Sequence, residues 1–108
     1  MQRVLFVCAH NLLRSPTAER IFSKRPGLEV ASAGIAPGAP NPVSGELLDW
    51  ADLIFVMEEW HHRELERRYR SQLGNKRVIC LGIPDLFGYM DPVLVRLLEE
   101  KAGPFLKA

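Results

Sequence analysis

The chain has 108 residues, of which 47% are hydrophobic and 25% charged, and its formal net charge is +1 at pH 7. This length and composition are typical of a single globular domain over residues 1–108. The near-neutral charge excludes a globally basic surface of the kind that binds nucleic acid without specificity. We expect neither a membrane span nor a signal peptide, because the apolar runs are short. Two cysteines cannot form a disulfide framework, so we expect a reduced, cytoplasmic protein.

Four short apolar runs, which predict buried strands, alternate along the chain with four segments of helical character. The predicted strands cover residues 4–8, 28–32, 53–57 and 77–81. The predicted helices cover residues 16–24, 43–51, 58–70 and 91–101. A continuous apolar run without alternation is typical of a strand buried on both faces of a parallel sheet. The repeated strand–helix order therefore predicts a three-layer α/β fold, with helices on both faces of a four-stranded parallel sheet.

The strongest functional signal lies where the first predicted strand passes into the first predicted helix, from Cys8 to Ser15. Ligands of parallel sheets bind beyond the carboxyl ends of the strands. A loop of this length can curl around one oxyanion, with the backbone N–H groups of residues 9–14 pointing inward. Arg14 adds a planar bidentate donor, and these donors favour the thiolate form of Cys8. The expected anion-binding residues are Ala9, His10, Asn11, Leu12, Leu13, Arg14 and Ser15.

Two residues of this loop also have structural interpretations. Asn11 tolerates left-handed backbone, which suits a tight curl. Ser15 precedes Pro16, and this pair is typical of a helix start with serine as the N-cap. The Ser15 hydroxyl is also placed to donate to the Cys8 thiolate. A capping oxygen accepts and a hydroxyl proton donates, so both roles can hold, and the sequence leaves open which of them Ser15 serves.

Across most of its length the chain resembles the low molecular weight protein tyrosine phosphatases. The matching segments, in the family's order, are Val7-Cys8, Arg14-Ser15-Pro16, Ala18-Glu19, Ser32-Ala33-Gly34, Asp52-Leu53-Ile54-Phe55-Val56-Met57 and Ile83-Pro84-Asp85. The resemblance implies the strand order 2-1-3-4. It also implies hydrolysis of phosphotyrosine, or of a similar aryl phosphate monoester, through a phosphocysteine. By the same resemblance Cys8 is the nucleophile, Arg14 the phosphate clamp, Asn11 the loop organiser and Ser15 the thiolate partner.

Three features of the chain depart from the family pattern. His10 stands at a loop position that is usually glycine. Leu13 stands where members often have a second cysteine, so no disulfide within the loop can protect Cys8. The segment between Gly34 and Trp50 is shorter than in typical members and is rich in glycine and proline. These departures make phosphatase chemistry a firmer expectation than selectivity for phosphotyrosine.

Two aspartates that follow the fourth predicted strand are candidates for the general acid that protonates the leaving oxygen. Asp85 lies in Ile83-Pro84-Asp85, which matches the family, and the sequence gives it no structural duty. Asp91 precedes Pro92, and that pair is already explained as a helix N-cap with a proline in the first turn. Asp85 is therefore the favoured acid and Asp91 the alternative.

The other polar and aromatic features suggest no cofactor. His61 and His62 are adjacent and face different directions on a helix, so we expect no metal site. Trp60, Phe87 and Tyr89 either line the mouth of the pocket or simply pack against the core.

The expected partners are a phosphorylated protein or a small aryl phosphate, with inorganic phosphate and vanadate as inhibitors, and neither nucleic acid nor a membrane. A phosphate-binding or phosphoprotein-binding module without turnover is the non-enzymatic alternative. An arsenate reductase uses the same loop but needs further cysteines to pass a disulfide outward. Cys80 is expected to be an inert residue in mid-strand, which argues against that chemistry.

Overall fold

A computed structural model describes residues 1–106 of the chain. In chain order the main elements are β1 (Gln2–Cys8), α1 (Arg14–Phe22), β2 (Leu28–Gly34), α2 (Gly45–Trp50), β3 (Leu53–Val56), α3 (Glu59–Leu73), β4 (Arg77–Cys80) and α4 (Pro92–Ala102), followed by a 3-10 turn (Gly103–Phe105). None of the helices in these 106 residues is long and apolar enough to cross a membrane.

The four strands form one parallel sheet in the order β2-β1-β3-β4. The predicted α/β fold and the order 2-1-3-4 are therefore confirmed. In the register of the sheet, Cys8 lies opposite Gly34 on one side, while Val7 lies opposite Val56 on the other. Because β1 is a central strand, its carboxyl end is flanked by the segments that follow β2 and β3.

Each face of the sheet buries its own hydrophobic cluster, as the predicted three-layer arrangement requires. On one face, Phe6 stacks between Phe22 of α1 and Phe55 of β3, with ring centroids 5.5 and 5.0 Å apart. Leu94 and Leu98 of α4 belong to the same cluster. The other cluster is formed by α2, α3 and the opposite faces of the strands; its largest members are Leu5, Leu48, Ile54 and Leu65. Truncating one of the stacked phenylalanines to alanine costs about 3–5 kcal/mol in cores of this kind.

The helix boundaries correct one of the two interpretations of Ser15. Helix α1 begins at Arg14, two residues earlier than predicted, and Leu13 occupies the N-cap position without a side-chain cap. Ser15 is therefore inside the helix, and the interpretation of Ser15 as the N-cap is wrong. Asp91 does cap α4, since its carboxylate accepts from the backbone N–H of Val93 at 2.8 Å. The first helix thus includes Arg14 and Ser15, the last two residues of the segment that the sequence predicts as a loop.

Candidate active site

The loop of residues 9–13 lies at the carboxyl end of β1 and is held against the segment after β2. The backbone N–H of Ile35 donates to the Cys8 carbonyl at 3.0 Å, and that of Ala36 donates to the Ala9 carbonyl at 2.8 Å. Gly34 makes this close approach possible. A Cβ atom there would lie 2.6 Å from the Ala39 Cβ and 3.0 Å from backbone atoms of the loop. The conformation of the loop is therefore tied to a glycine in the neighbouring strand.

Asn11 organises the curl of the loop from its centre. Its φ of 56° is left-handed, a conformation that asparagine adopts more readily than most residues. Its side-chain amide donates to the Ser15 Oγ at 2.9 Å and to the Ser32 Oγ at 3.0 Å, and Ser32 in turn donates to Glu19 at 2.5 Å. Both hydrogens of the amide are thus used inside the protein, which fixes the loop on α1 and β2.

Cys8 and Ser15 form a buried side-chain contact. The Cys8 Sγ lies 3.0 Å from the Ser15 Oγ, and both side chains are buried. Because the Ser15 oxygen already accepts from Asn11, its single proton has two acceptors in reach: the Cys8 sulfur and, at 3.4 Å, the Ala33 carbonyl. An ionised sulfur takes this proton in preference to a neutral carbonyl, since charge-assisted hydrogen bonds are the stronger ones. The arrangement thus provides a hydrogen-bond donor next to the Cys8 sulfur.

Arg14 presents one edge of its guanidinium to the protein and the other to the pocket. Its Nη1 donates to the Glu58 Oε2 at 2.6 Å and to the Ile83 carbonyl at 2.7 Å, and only 2% of the side chain is exposed. Nη1 carries two hydrogens, so both are used. The edge made of Nε and Nη2 makes no hydrogen bond within the described residues, although Asp85 lies near Nε, and it has the bidentate geometry that suits phosphate.

Only one of the two candidate acids is brought to the loop. Asp85 lies 3.7 Å from the Arg14 Nε, and about half of its side chain is exposed. It lines a pocket of about 60 Å³, together with Cys8, His10, Leu12, Leu13 and Arg14. Asp91 is not part of this lining, because its carboxylate caps α4. The geometry therefore favours Asp85 for work at the pocket.

His10 requires no special backbone conformation at its place in the loop. Within the described residues, Asn11 and Met90 are the non-glycine positions with positive φ, so His10 avoids the strain that a left-handed backbone brings. Its side chain is exposed and lines the pocket, as do those of Leu12 and Leu13. The departure from glycine thus adds an imidazole to the pocket wall without distorting the loop.

Glu58 and His61 also belong to the site, although the sequence did not predict a place there for either residue. Glu58 follows β3 and caps α3, and the His61 Nδ1 accepts from the Glu58 backbone N–H at 3.0 Å. His61 is fully buried, and burial together with the Arg14 guanidinium lowers the pKa of His61 to about 4. The available signal for Glu58 was its position directly after a buried strand, at the edge of the sheet where the loops meet.

The three candidate aromatic residues lie outside the lining of the pocket. Trp60 packs on the His61 ring at 4.3 Å between centroids, and Phe87 packs against the core cluster that contains Phe6. Tyr89 is about half exposed and lines a separate groove beside α1. The packing interpretation fits Phe87, while the exposed side chains that line the pocket are those of His10, Leu12, Leu13 and Asp85.

The fold and the loop together define a class of protein: a doubly wound α/β domain in which a loop between a cysteine and an arginine follows the first strand. Residues 3–42 match the family model described as low molecular weight phosphotyrosine protein phosphatase. A probable low molecular weight protein-tyrosine-phosphatase, EpsP of Ralstonia solanacearum, is 32% identical over 85% of this chain and 79% of its own length. The chain therefore belongs to the low molecular weight protein tyrosine phosphatase family, and it is a phosphatase.

Solved structures of similar proteins agree with the fold. Wzb of Vibrio vulnificus, in complex with benzylphosphonate, is 27% identical with a TM-score of 0.76, covering 96% of both chains. The YwlE arginine phosphatase of Geobacillus stearothermophilus is 24% identical with a TM-score of 0.71, covering 95% of this chain and 87% of that one. The second similarity supports the fold alone.

Proposed function

We propose that residues 1–108 form a single catalytic domain that hydrolyses phosphotyrosine, or a similar aryl phosphate monoester, through a phosphocysteine intermediate. The observation that carries the proposal is the convergence of three groups on one small pocket. These are the Cys8 sulfur with its Ser15 partner, the Nε–Nη2 edge of Arg14 and the Asp85 carboxyl. We also propose a cytoplasmic location, because a reducing compartment keeps the Cys8 thiol free of disulfides.

In the first step the phosphate dianion occupies the loop, where the backbone N–H groups and Arg14 bind its non-bridging oxygens. The Cys8 thiolate attacks phosphorus in line with the ester oxygen, so the S–P bond forms as the P–O bond breaks. Asp85, in its protonated form, gives its proton to the departing oxygen. The products of this step are an alcohol or phenol, a phosphocysteine and an ionised Asp85.

In the second step a water molecule attacks the phosphorus of the phosphocysteine, and the Asp85 carboxylate accepts a proton from that water. The S–P bond breaks, and the Cys8 sulfur leaves as a thiolate. The Ser15 hydroxyl at 3.0 Å stabilises this leaving group by donating to it. Inorganic phosphate then departs, and the site returns to its starting protonation.

The walls of the pocket support an aryl rather than a guanidinium leaving group. Leu12, Leu13 and Leu86 are all exposed, and Leu12 and Leu13 line the pocket itself while Leu86 follows Asp85. Aliphatic side chains favour contact with an apolar ring, whereas Asp85 is the single carboxylate of the described lining that could accept from a cationic phosphoguanidinium. The benzylphosphonate in the Vibrio vulnificus relative is a ligand of the chemistry proposed here.

Disulfide-coupled arsenate reduction is disfavoured by the placement of the second cysteine. Cys8 packs with the cluster on one face of the sheet, whereas Cys80 packs with the cluster on the other face. Cys80 is also two strands away from β1, which is about 10 Å across a sheet. Burial raises the pKa of the Cys80 thiol, which makes it a poor attacking group.

The test is hydrolysis of p-nitrophenyl phosphate by the purified protein, with Cys8→Ser as the control. We expect a burst of nitrophenol equal to the enzyme concentration, inhibition by phosphate and vanadate, and unchanged activity in EDTA. Activity that survives in Cys8→Ser, or that EDTA abolishes, would overturn the mechanism. Phosphate binding without turnover would instead identify the protein as a binding module. Comparison of phosphotyrosine with phosphoarginine as substrate tests the proposed leaving group.

A further inference from the structure

His61 carries a buried donor that has no hydrogen-bond acceptor among residues 1–106. Its Nδ1 accepts a hydrogen bond from the Glu58 backbone N–H, so the neutral imidazole carries its proton on Nε2. The Nε2 atom is buried and has no hydrogen-bond partner within the described residues. Its closest acidic neighbour is the Glu58 Oε2 at 3.9 Å, which is beyond hydrogen-bond distance. A buried polar atom without a partner calls for a functional explanation.

The same Glu58 oxygen is the anchor of Arg14. It accepts from the Arg14 Nη1 at 2.6 Å while it faces the His61 Nε2 on another side. This anchor orients the guanidinium, but its negative charge repels a dianion that binds to the far edge of Arg14. A bound dianion also partly neutralises the positive charge of Arg14, which weakens the attraction between Arg14 and Glu58. A second donor to the carboxylate would offset both effects.

We propose that His61 is a positioning residue for Arg14, whose Nε2–H becomes a hydrogen-bond partner of the Glu58 carboxylate when a phosphate dianion occupies the loop. Glu58 then remains the anchor of Arg14, while the hydrogen bond from His61 partly offsets the negative charge of the Glu58 carboxylate. The necessary change is a shortening of the 3.9 Å separation by about 1 Å, which a carboxylate rotation supplies. This inference rests on the proposed function, because it requires phosphate to bind in the loop.

The imidazole must remain neutral to act in this way, and its surroundings ensure that it does. Burial and the Arg14 guanidinium lower the pKa of His61, whereas Glu58 and Asp85 oppose that shift more weakly. The Trp60 ring packs against the imidazole and limits its rotation. The Nε2–H tautomer is thus the fixed state of His61 near neutral pH.

Proton NMR of the histidine side chains tests the proposal directly, with inorganic phosphate as the probe. In the wild-type protein, phosphate should move the Nε2 proton of His61 downfield by about 1 ppm or more, because a new hydrogen bond forms. In Glu58→Ala this shift should be absent. Backbone amides of residues 9–14 report independently whether phosphate occupies the loop. If those amides respond and the Nε2 proton does not, the inference is wrong. If neither responds, the proposed function fails and the inference fails with it.

A kinetic arm separates positioning from a structural duty. His61→Asn retains a side-chain oxygen that accepts from the Glu58 N–H, but it removes the distant Nε2 donor. We expect the KM and the phosphate inhibition constant each to rise about fivefold, with kcat within about twofold of wild type. In His61→Gln the longer side-chain amide can reach the Glu58 carboxylate, so the KM and the phosphate inhibition constant should return most of the way to their wild-type values. An unchanged KM in His61→Asn, accompanied only by a lower melting temperature, would show that His61 is structural.

Discussion

The Nη1 of Arg14 lies 2.6 Å from the Oε2 of Glu58, a residue 44 positions further along the chain. Arg14 is almost fully buried, while about a third of the Glu58 side chain is exposed. A buried guanidinium that loses its partner keeps an uncompensated charge, which costs about 3–5 kcal/mol in other proteins. The pair therefore stabilises the loop and also fixes which edge of Arg14 faces the pocket.

Two replacements of Glu58 should distinguish its role in orienting Arg14 from the effect of its negative charge. Glu58→Ala removes the acceptor of Arg14, so we expect kcat/KM for p-nitrophenyl phosphate to fall about 100-fold. The free energy of unfolding should fall by about 3 kcal/mol, as measured by urea titration. Glu58→Gln keeps an acceptor oxygen, and its kcat/KM should stay within about tenfold of wild type. Equal losses in the two variants would show that charge, rather than orientation, is what Glu58 supplies.

Substitutions of Asn11 should separate backbone strain from the hydrogen bonds of its amide. Asn11→Ala loses the bonds to Ser15 and Ser32 and places alanine at a φ of 56°. Asn11→Gly loses the same bonds but adopts that φ without strain. We expect Asn11→Gly to be more stable than Asn11→Ala by about 1 kcal/mol, measured by urea unfolding.

The activity of these two variants provides the second readout. Both lack the amide that holds Ser15 in place, so we expect both to lose about 10²-fold in kcat/KM. If Asn11→Gly retained wild-type activity, the amide network would have no part in presenting Ser15 to the Cys8 sulfur. The backbone conformation alone would then organise the loop.

The parts of the molecule that the sequence predicts well are those with a local signal. The buried run that ends at Cys8 and the helix after it place the anion loop, because strand, loop and helix follow one another in the chain. Alternation of strands and helices predicts the parallel sheet for the same reason. The strand order came from the family resemblance and is confirmed by the fold.

The parts that the sequence predicts poorly depend on distant contacts. The pairing of Glu58 with Arg14 exists only because β3 lies beside β1 in the sheet, which no local pattern specifies. Ser15 shows a second difficulty. The Ser-Pro pair is a normal helix start, but α1 begins one residue before Ser15, so its hydroxyl turns toward the Cys8 sulfur. The same residue can fit both a helix N-cap pattern and a functional-site pattern, and the packing of the fold decides which of the two it adopts.

The buried His61 should make the fold sensitive to acid. Its pKa is about 4 in the folded protein and about 6.5 in the unfolded chain. Between these values the unfolded chain binds a proton that the folded protein excludes, so stability falls as the pH is lowered through this window. Above pH 6.5 the effect is absent. We expect His61 to account for a loss on the order of 2–3 kcal/mol between pH 7.5 and pH 4.5.

Urea unfolding at several pH values in this range measures that contribution. His61→Phe has no titratable group at this position, so its free energy of unfolding should fall less steeply with acid by the stated amount. His62→Phe is the matched control, because His62 is its neighbour on α3 and is partly exposed. If His61→Phe and the wild-type protein followed parallel curves, burial of a neutral imidazole would not be the source of acid sensitivity.

The two candidate acids can be distinguished by the same substitution at each position. Asp85→Asn removes a proton donor from the pocket, and we expect kcat for an aryl phosphate to fall by about 10²–10³-fold. Asp91→Asn should leave both activity and stability nearly unchanged, because asparagine caps a helix about as well as aspartate. The loss in Asp85→Asn should be smaller for p-nitrophenyl phosphate than for phosphotyrosine, since nitrophenolate is the better leaving group and needs less protonation. A loss that is the same for both substrates, or one that follows Asp91 instead, would mean that Asp85 serves only as a counter-charge 3.7 Å from Arg14.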